Sequence, residues 1–177
     1  MSSGIVAAFL TLAGGQGASW QTEMRKQLPL LGHRNWLVIA DSAYPWQTSA
    51  GITTIETDAD QVTVLKAALA AVGKAPHVRP TIFTDAELPF VPEARAKGVT
   101  AYRNELARLL RGQNVTPMLH EHIIGKLDEA GKTFHVLLLK TKMTIPYTSV
   151  FMRLDCAYWS DASEKAMREA MAKKGVK

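Results

Sequence analysis

The sequence predicts a single-domain α/β sandwich, with a sheet of mixed strand direction flanked by helices. Three observations carry that prediction. Strand and helix signals alternate along the chain. Two segments, WLVIA at Trp36–Ala40 and FHVLLL at 134–139, are nearly continuous apolar runs of the kind found in strands covered on both faces. The 177 residues suffice for one core, and no repeat, low-complexity tract or break in composition divides them.

In chain order, IVAAFLTLA at 5–13 is followed by the small residues GGQGAS. That length suits a secretory h-region with its cleavage site, but no lysine or arginine precedes it. It is too short to span a bilayer. Residues 1–21 are therefore read as an N-terminal extension or a signal segment. Segment 22–31 carries helix formers, and Pro29 ends that helix at or shortly before its own position. Trp36–Ala40 is a strand, closed by Asp41 and a loop through Pro45. ITTIET at 52–57 is a second strand. Asp58 or Asp60 caps the next helix, on which Val62, Leu65, Leu69 and Val72 recur at helical spacing. PTIFT at 80–84 is another strand.

After a loop with Pro89 and Pro92, Val99, Tyr102, Leu106 and Leu109–Leu110 mark the apolar face of a long helix that Gly112 can end. Segment 120–130 is a short helix with Gly131 as its stop. Segment 134–139 is the strongest strand signal, and 147–154 is read as its antiparallel partner in a final hairpin. The last helix starts at Asp161, where Glu164 completes a capping-box spacing. The α/β domain thus covers 22–159, with 160–177 as a C-terminal helical extension.

Composition removes several functions. The net charge of +5 lies partly in the C-terminal tail, a dispersed surplus typical of a solvated surface. No nucleic-acid recognition motif accompanies it, so neither a nucleic-acid nor a membrane partner is expected. A single cysteine, Cys156, excludes an internal disulfide framework and a Cys-rich zinc site. Neither GxGxxG nor GxxxxGK[ST] is present, and no GxSxG appears. HEH at 120–122 looks like a fragment of a metal site. On a helix, however, residues i and i+2 point about 200° apart and cannot share one ion. No metal is expected. What remains is acid–base chemistry from His33, Asp41, His120, His122 and Tyr147; His122, His135 and Arg103 are read as structural or exposed.

The stretch LGHRNWLVIADSAYP, 31–45, places His33 before the first core strand and Asp41, eight residues on, at its end. As a unit it resembles the ribose pyranase / fucose mutarotase family. Three further pieces agree in order: Tyr102–Arg103–Asn104, His120–Glu121, and Pro146–Tyr147–Thr148–Ser149 ahead of an apolar strand. The resemblance covers about residues 28–155. It implies a mutarotase-like α/β fold and a sugar isomerase in which His33 is the proton donor. Asp41, His120, Tyr147 and Ser149 would be the sugar contacts. It implies no cofactor, a monosaccharide as the small-molecule partner, and a ring-like homo-oligomer, with a decamer as its candidate size, whose site is shared between neighbouring subunits. By the same resemblance the location is cytoplasmic; a signal segment at 1–19 would make it exported or periplasmic.

The chemistry suits the residues. Exchanging anomers or ring forms requires a proton to leave the anomeric hydroxyl while another reaches the ring oxygen. Histidine, with an ordinary pKa of about 6.5, offers both forms near neutrality. Asp41 can accept bonds from sugar hydroxyls or take the anomeric proton. A strand of five or six residues spans about 17–20 Å, so His33 and Asp41 cannot meet across it; a folded-back loop or a second copy must bring them together. The sequence also departs from the family. Ser149 stands where the family has asparagine, Lys142–Met143 replaces a glycine-glutamate pair, and the chain continues into the last helix. These departures motivate the alternative of a non-catalytic monosaccharide-binding relative.

Overall fold

Strand β1 (Trp36–Ala40) is buried at every position, because it has a strand on either side and helices on both faces. The computed structural model describes residues 19–176. The six-stranded sheet has the order β2-β5-β1-β6-β3-β4, with β2 at Ile52–Glu56, β3 at Val78–Asp85, β4 at Val115–Met118, β5 at Val136–Lys140 and β6 at Val150–Cys156. β1 and β2 each pair parallel with β5, and β3 pairs parallel with β4. β6 alone runs the other way, antiparallel to both β1 and β3. One rim of the sheet therefore carries the C-terminal ends of five strands together with the start of β6.

Period-two alternation divides each central strand between two cores. Leu37, Ile39, Leu137 and Leu139 face one layer with Met152 and Ile82. That layer is covered by α1 (Trp20–Gln27), α2 (Gln61–Lys74) and α3 (Val99–Leu109), through Met24, Leu65, Val72, Tyr102 and Leu106. Trp36, Val38, Ala40, Leu138 and Phe151 face the other, covered by α4 (His120–Thr133) through Ile123 and Leu127. The terminal helix α5 (Asp161–Lys173) buries no residue and is tied to β3 by the Arg79–Asp161 ion pair at 2.8 Å.

Several expectations need correction. Segment 147–154 is not the partner of 134–139: β1 lies between β5 and β6, so the final hairpin does not exist as a paired unit. Tyr147 precedes the strand, in a turn with φ 59°. Strand β4 was not anticipated, and the strand expected at 80–84 extends to Val78–Asp85. Gly131 does not stop α4. A Cβ there would come 2.7 Å from the Ile52 side chain, so this glycine permits close packing against β2. Ser160 rather than Asp161 caps α5, accepting from the Ser163 N–H at 3.0 Å, while Glu164 takes the Trp159 indole N–H at 2.8 Å. The apolar segment 5–13 lies outside the described residues.

At the rim, the buried side chain of Gln61 joins three strand ends. Its Nε2 donates to the carbonyls of Ile39 (3.2 Å) and Thr148 (2.8 Å), and its Oε1 accepts from Thr141 Oγ1 at 2.6 Å. The Tyr102 hydroxyl donates to the same Thr148 carbonyl at 2.6 Å. Leucine at position 61 would fill similar volume and remove all three of its bonds, leaving the Thr148 carbonyl with Tyr102 alone. Gln61→Leu is expected to lower stability by about 1–3 kcal/mol, read as a lower denaturant midpoint at unchanged slope.

Candidate active site

Strand direction decides which side chains can meet. Asp41 follows β1, Asp85 ends β3, His120 follows β4 and opens α4, and Tyr147 and Ser149 precede β6, so all five stand on one rim. This is the side on which parallel strands commonly place ligand sites. Asp41, Ala43, Tyr44, Pro45, His120 and Tyr147 line a cleft of about 320 Å³ there, near the lower end of ligand-pocket sizes.

Each side chain is held. The Asp41 Oδ1 accepts from the Ala43 N–H at 2.9 Å, a local turn bond that fixes the carboxylate at the strand end. Ser149 Oγ lies 3.4 Å from Asp41 Oδ2, a long contact. His120 is fixed twice. Its backbone N–H, unsatisfied within α4, donates to the Glu87 carboxylate (3.0 and 3.2 Å to the two oxygens), and its ring Nδ1 is 3.0 Å from Asp85 Oδ1. The Tyr147 and His120 rings pack perpendicular to one another, with centroids 5.6 Å apart at 83°.

Burial governs the electrostatics. The side chain of Asp85 is fully enclosed, and its Oδ2 accepts no hydrogen bond from any described residue. Burial pushes its carboxyl from the ordinary 3.8 up to about 6, and nearby Glu87 and Asp41 add to the rise; the bond to His120 and its charge act the other way. The Tyr44 phenol is held protonated far above its usual range, first by burial and then by Asp128, Asp41 and Asp85. A carboxylate-rich rim surrounds one imidazole. Among the described residues no cluster of three His, Cys, Asp or Glu side chains is placed to hold a metal.

The structure brings Asp41, His120, Tyr147 and Ser149 together, and it does not bring His33 to them within one chain. His33 precedes β1 on the opposite rim, where its Nδ1 pairs with Asp155 at 2.9 Å, and its ring is largely exposed. It lines a larger, open cleft with Arg79, Arg153, Asp155, Tyr158 and Trp159. The arginines of that cleft are already engaged, Arg79 with Asp161 and Arg153 with Asp155. His122 is exposed on α4, and Arg103 holds the carbonyls of Pro89 and Val91 at 3.0 Å. Sequence reasoning missed Asp85 and Glu87. The signal that marks Asp41, an aspartate ending an apolar strand, was present at Asp85 too, after PTIFT.

No family model and no curated protein matches this sequence. Solved structures do resemble it. Bacillus subtilis RbsD complexed with D-ribose superposes with a TM-score of 0.52 at 18% identity, covering 76% of this chain and 92% of that one. The fucose mutarotase of Streptococcus pneumoniae in complex with L-fucose superposes with a TM-score of 0.50 at 19% identity, covering 75% and 91%. The chain has the fold of these proteins, a six-stranded mixed sheet flanked by helices in a single domain.

The raised Asp85 pKa has a definite sign. The folded protein holds this proton more tightly than the unfolded chain, so the stability it contributes is full below about pH 4 and is lost as pH rises through about 6. Measured against Asp85→Asn, which lacks the titration, the relative stability of the parent protein should decline across that window in denaturant titrations at a series of pH values. A flat difference would remove the assignment of a raised carboxyl.

Proposed function

We propose that this protein interconverts anomers or ring forms of a reducing monosaccharide by acid–base ring opening, without a cofactor. The observation that carries the reading is convergence. Asp41, His120, Tyr147 and Ser149, from three separate segments of the chain, stand around or beside one small cleft on the rim of a fold otherwise seen holding D-ribose and L-fucose. Asp41 and Glu121 line that cleft and no described lysine or arginine does, which suits an uncharged polyol and disfavours a phosphorylated one. The Tyr147 ring supplies a flat apolar surface for the C–H face of a sugar.

Ring opening needs an acid at the ring oxygen as well as a base at the anomeric hydroxyl. The His33 imidazole is the acid in this reading, and it stands on the far rim; five strand residues at about 3.3 Å each separate it from Asp41. The reading therefore requires His33 of a second copy, in a ring-like homo-oligomer with a decamer as its candidate size. Asp155 on Nδ1 leaves Nε2 of an exposed ring free to enter a neighbour's cleft. A second reading, a monosaccharide-binding protein without turnover, is favoured by Ser149, whose single hydroxyl is directed to the Asp41 carboxylate.

Exchange NMR on D-ribose and L-fucose separates the two. The expected result is accelerated anomer or ring-form exchange that falls by about 10²–10⁴-fold in His33→Ala and in His120→Ala. A mixture of these two inactive variants, dissociated and reassembled together, should recover part of the activity, because some clefts then combine an intact His120 with an intact His33. Binding at an unchanged exchange rate would establish the second reading.

A further inference from the structure

Asp85 is an unusual residue to find beneath a sugar cleft. It is fully enclosed at the end of β3, one oxygen has no partner among the described residues, and the other faces a ring nitrogen of His120 at 3.0 Å. Apart from His120, no hydrogen bond or ion pair to another described side chain satisfies it. A buried carboxylate in that state is costly unless the group it faces gives something in return. The geometry of His120 shows what that is. A carboxylate on Nδ1 fixes the proton on that nitrogen and leaves the lone pair on Nε2. Nε2 takes no hydrogen bond from a described residue, and His120 lines the cleft between Asp41 and Tyr147. Glu87 bonds the backbone N–H of the same residue, Asp85 holds Nδ1, and the Tyr147 ring packs perpendicular to the imidazole, so three contacts restrict its rotation.

We propose that Asp85 is a positioning residue that holds His120 as the Nδ1–H tautomer, making His120 Nε2 the base that removes the anomeric proton of the bound monosaccharide. This rests on the ring-opening reading above and assigns its second proton. In the opening step the anomeric O–H proton passes to Nε2, and the O–H electron pair becomes the new C=O bond. The bond from the anomeric carbon to the ring oxygen breaks, and that oxygen takes the departing pair and a proton from the acid. Closure is the reverse, with Nε2 returning its proton to the carbonyl oxygen. Asp85 touches no sugar atom. It acts by tautomer and by stabilising the imidazolium that forms beside it.

Two measurements test this, one independent of turnover. Long-range ¹⁵N–¹H correlation of the histidine rings in the full chain at neutral pH should show His120 with Nδ1 protonated and Nε2 unprotonated. A dominant Nε2–H tautomer would overturn the proposal whether or not the protein turns over sugar. In Asp85→Asn the amide can donate to Nδ1, and the opposite tautomer should appear. The exchange rate at saturating sugar should then fall by about 10²–10⁴-fold, the range for losing a well-presented base, with the half-saturating sugar concentration changed little. An unchanged tautomer and rate in a folded Asp85→Asn would also overturn it. Failure of the parent protein to accelerate exchange, with Nδ1–H present on His120, would remove the base assignment and the ring-opening reading while leaving the tautomer finding intact.

Discussion

The buried amide of Gln61 ties together three strand ends at the rim, and two of them, the end of β1 and the start of β6, carry groups of the candidate site. Its donors hold the last turn before β6 and the end of β1, and its acceptor holds the segment that follows β5. In a low-dielectric interior such a network is strong when every member is paired, and each missing member is expensive. The consequence is geometric. Thr148, gripped by both Gln61 and Tyr102, sits between Tyr147 and Ser149, and Ile39 lies two residues before Asp41. A single polar side chain on α2 thereby braces Asp41 against the Tyr147–Ser149 segment, although it lines no part of the cleft.

The reversed strand β6 does the rest. Had it run with its neighbours, its first residues would stand on the opposite rim, and Tyr147 and Ser149 would be separated from Asp41 and His120 by the length of a strand. Its reversal also carries Asp155 to the His33 side. The two rims differ in character. One is carboxylate-rich around a pinned imidazole, with Glu87 placed against the positive N-terminal end of α4. The other mixes arginines, carboxylates and exposed aromatics, with Tyr158 and Trp159 at the surface.

Much of the fold was legible because local signals were strong. WLVIA could hardly be anything but a covered strand, and Asp60 caps α2 by accepting the Thr63 N–H at 2.8 Å, one of the two caps its sequence offered. What the residues did not carry was pairing. Segments adjacent in sequence usually neighbour one another, and that expectation misassigned β6 to β5. Only the tertiary fold inserts β1 between them. Strand β4 escaped because it is short, lies at the sheet edge and contains Pro117, which demotes a run as a strand signal although an edge tolerates it. The four sugar-contact candidates of the rim were named from motif order, whereas Asp85 was passed over. Its importance comes from β4 lying beside β3, which delivers His120 to it, and no local pattern reports that neighbour.

In the proposed reaction, β1 has a functional group at each end, and a single chain cannot use the two together. A covered five-residue strand does not bend, since its backbone is paired on both sides and its side chains are locked in two cores. If the acid precedes it and the remaining groups follow it, one copy supplies half of each of two sites. Assembly then becomes a condition of chemistry rather than an addition to stability. The exposed ring of His33 fits that condition. A proton donor completed by a neighbour has to stand outside its own core, and Asp155 can fix which nitrogen faces outward without burying the ring. The same logic is played inward on the opposite rim, where Asp85 beneath His120 fixes the nitrogen that meets the cleft. The proposed reaction would use two imidazoles, each backed by a carboxylate on Nδ1 and each without a described partner on Nε2, one to give a proton and one to take it.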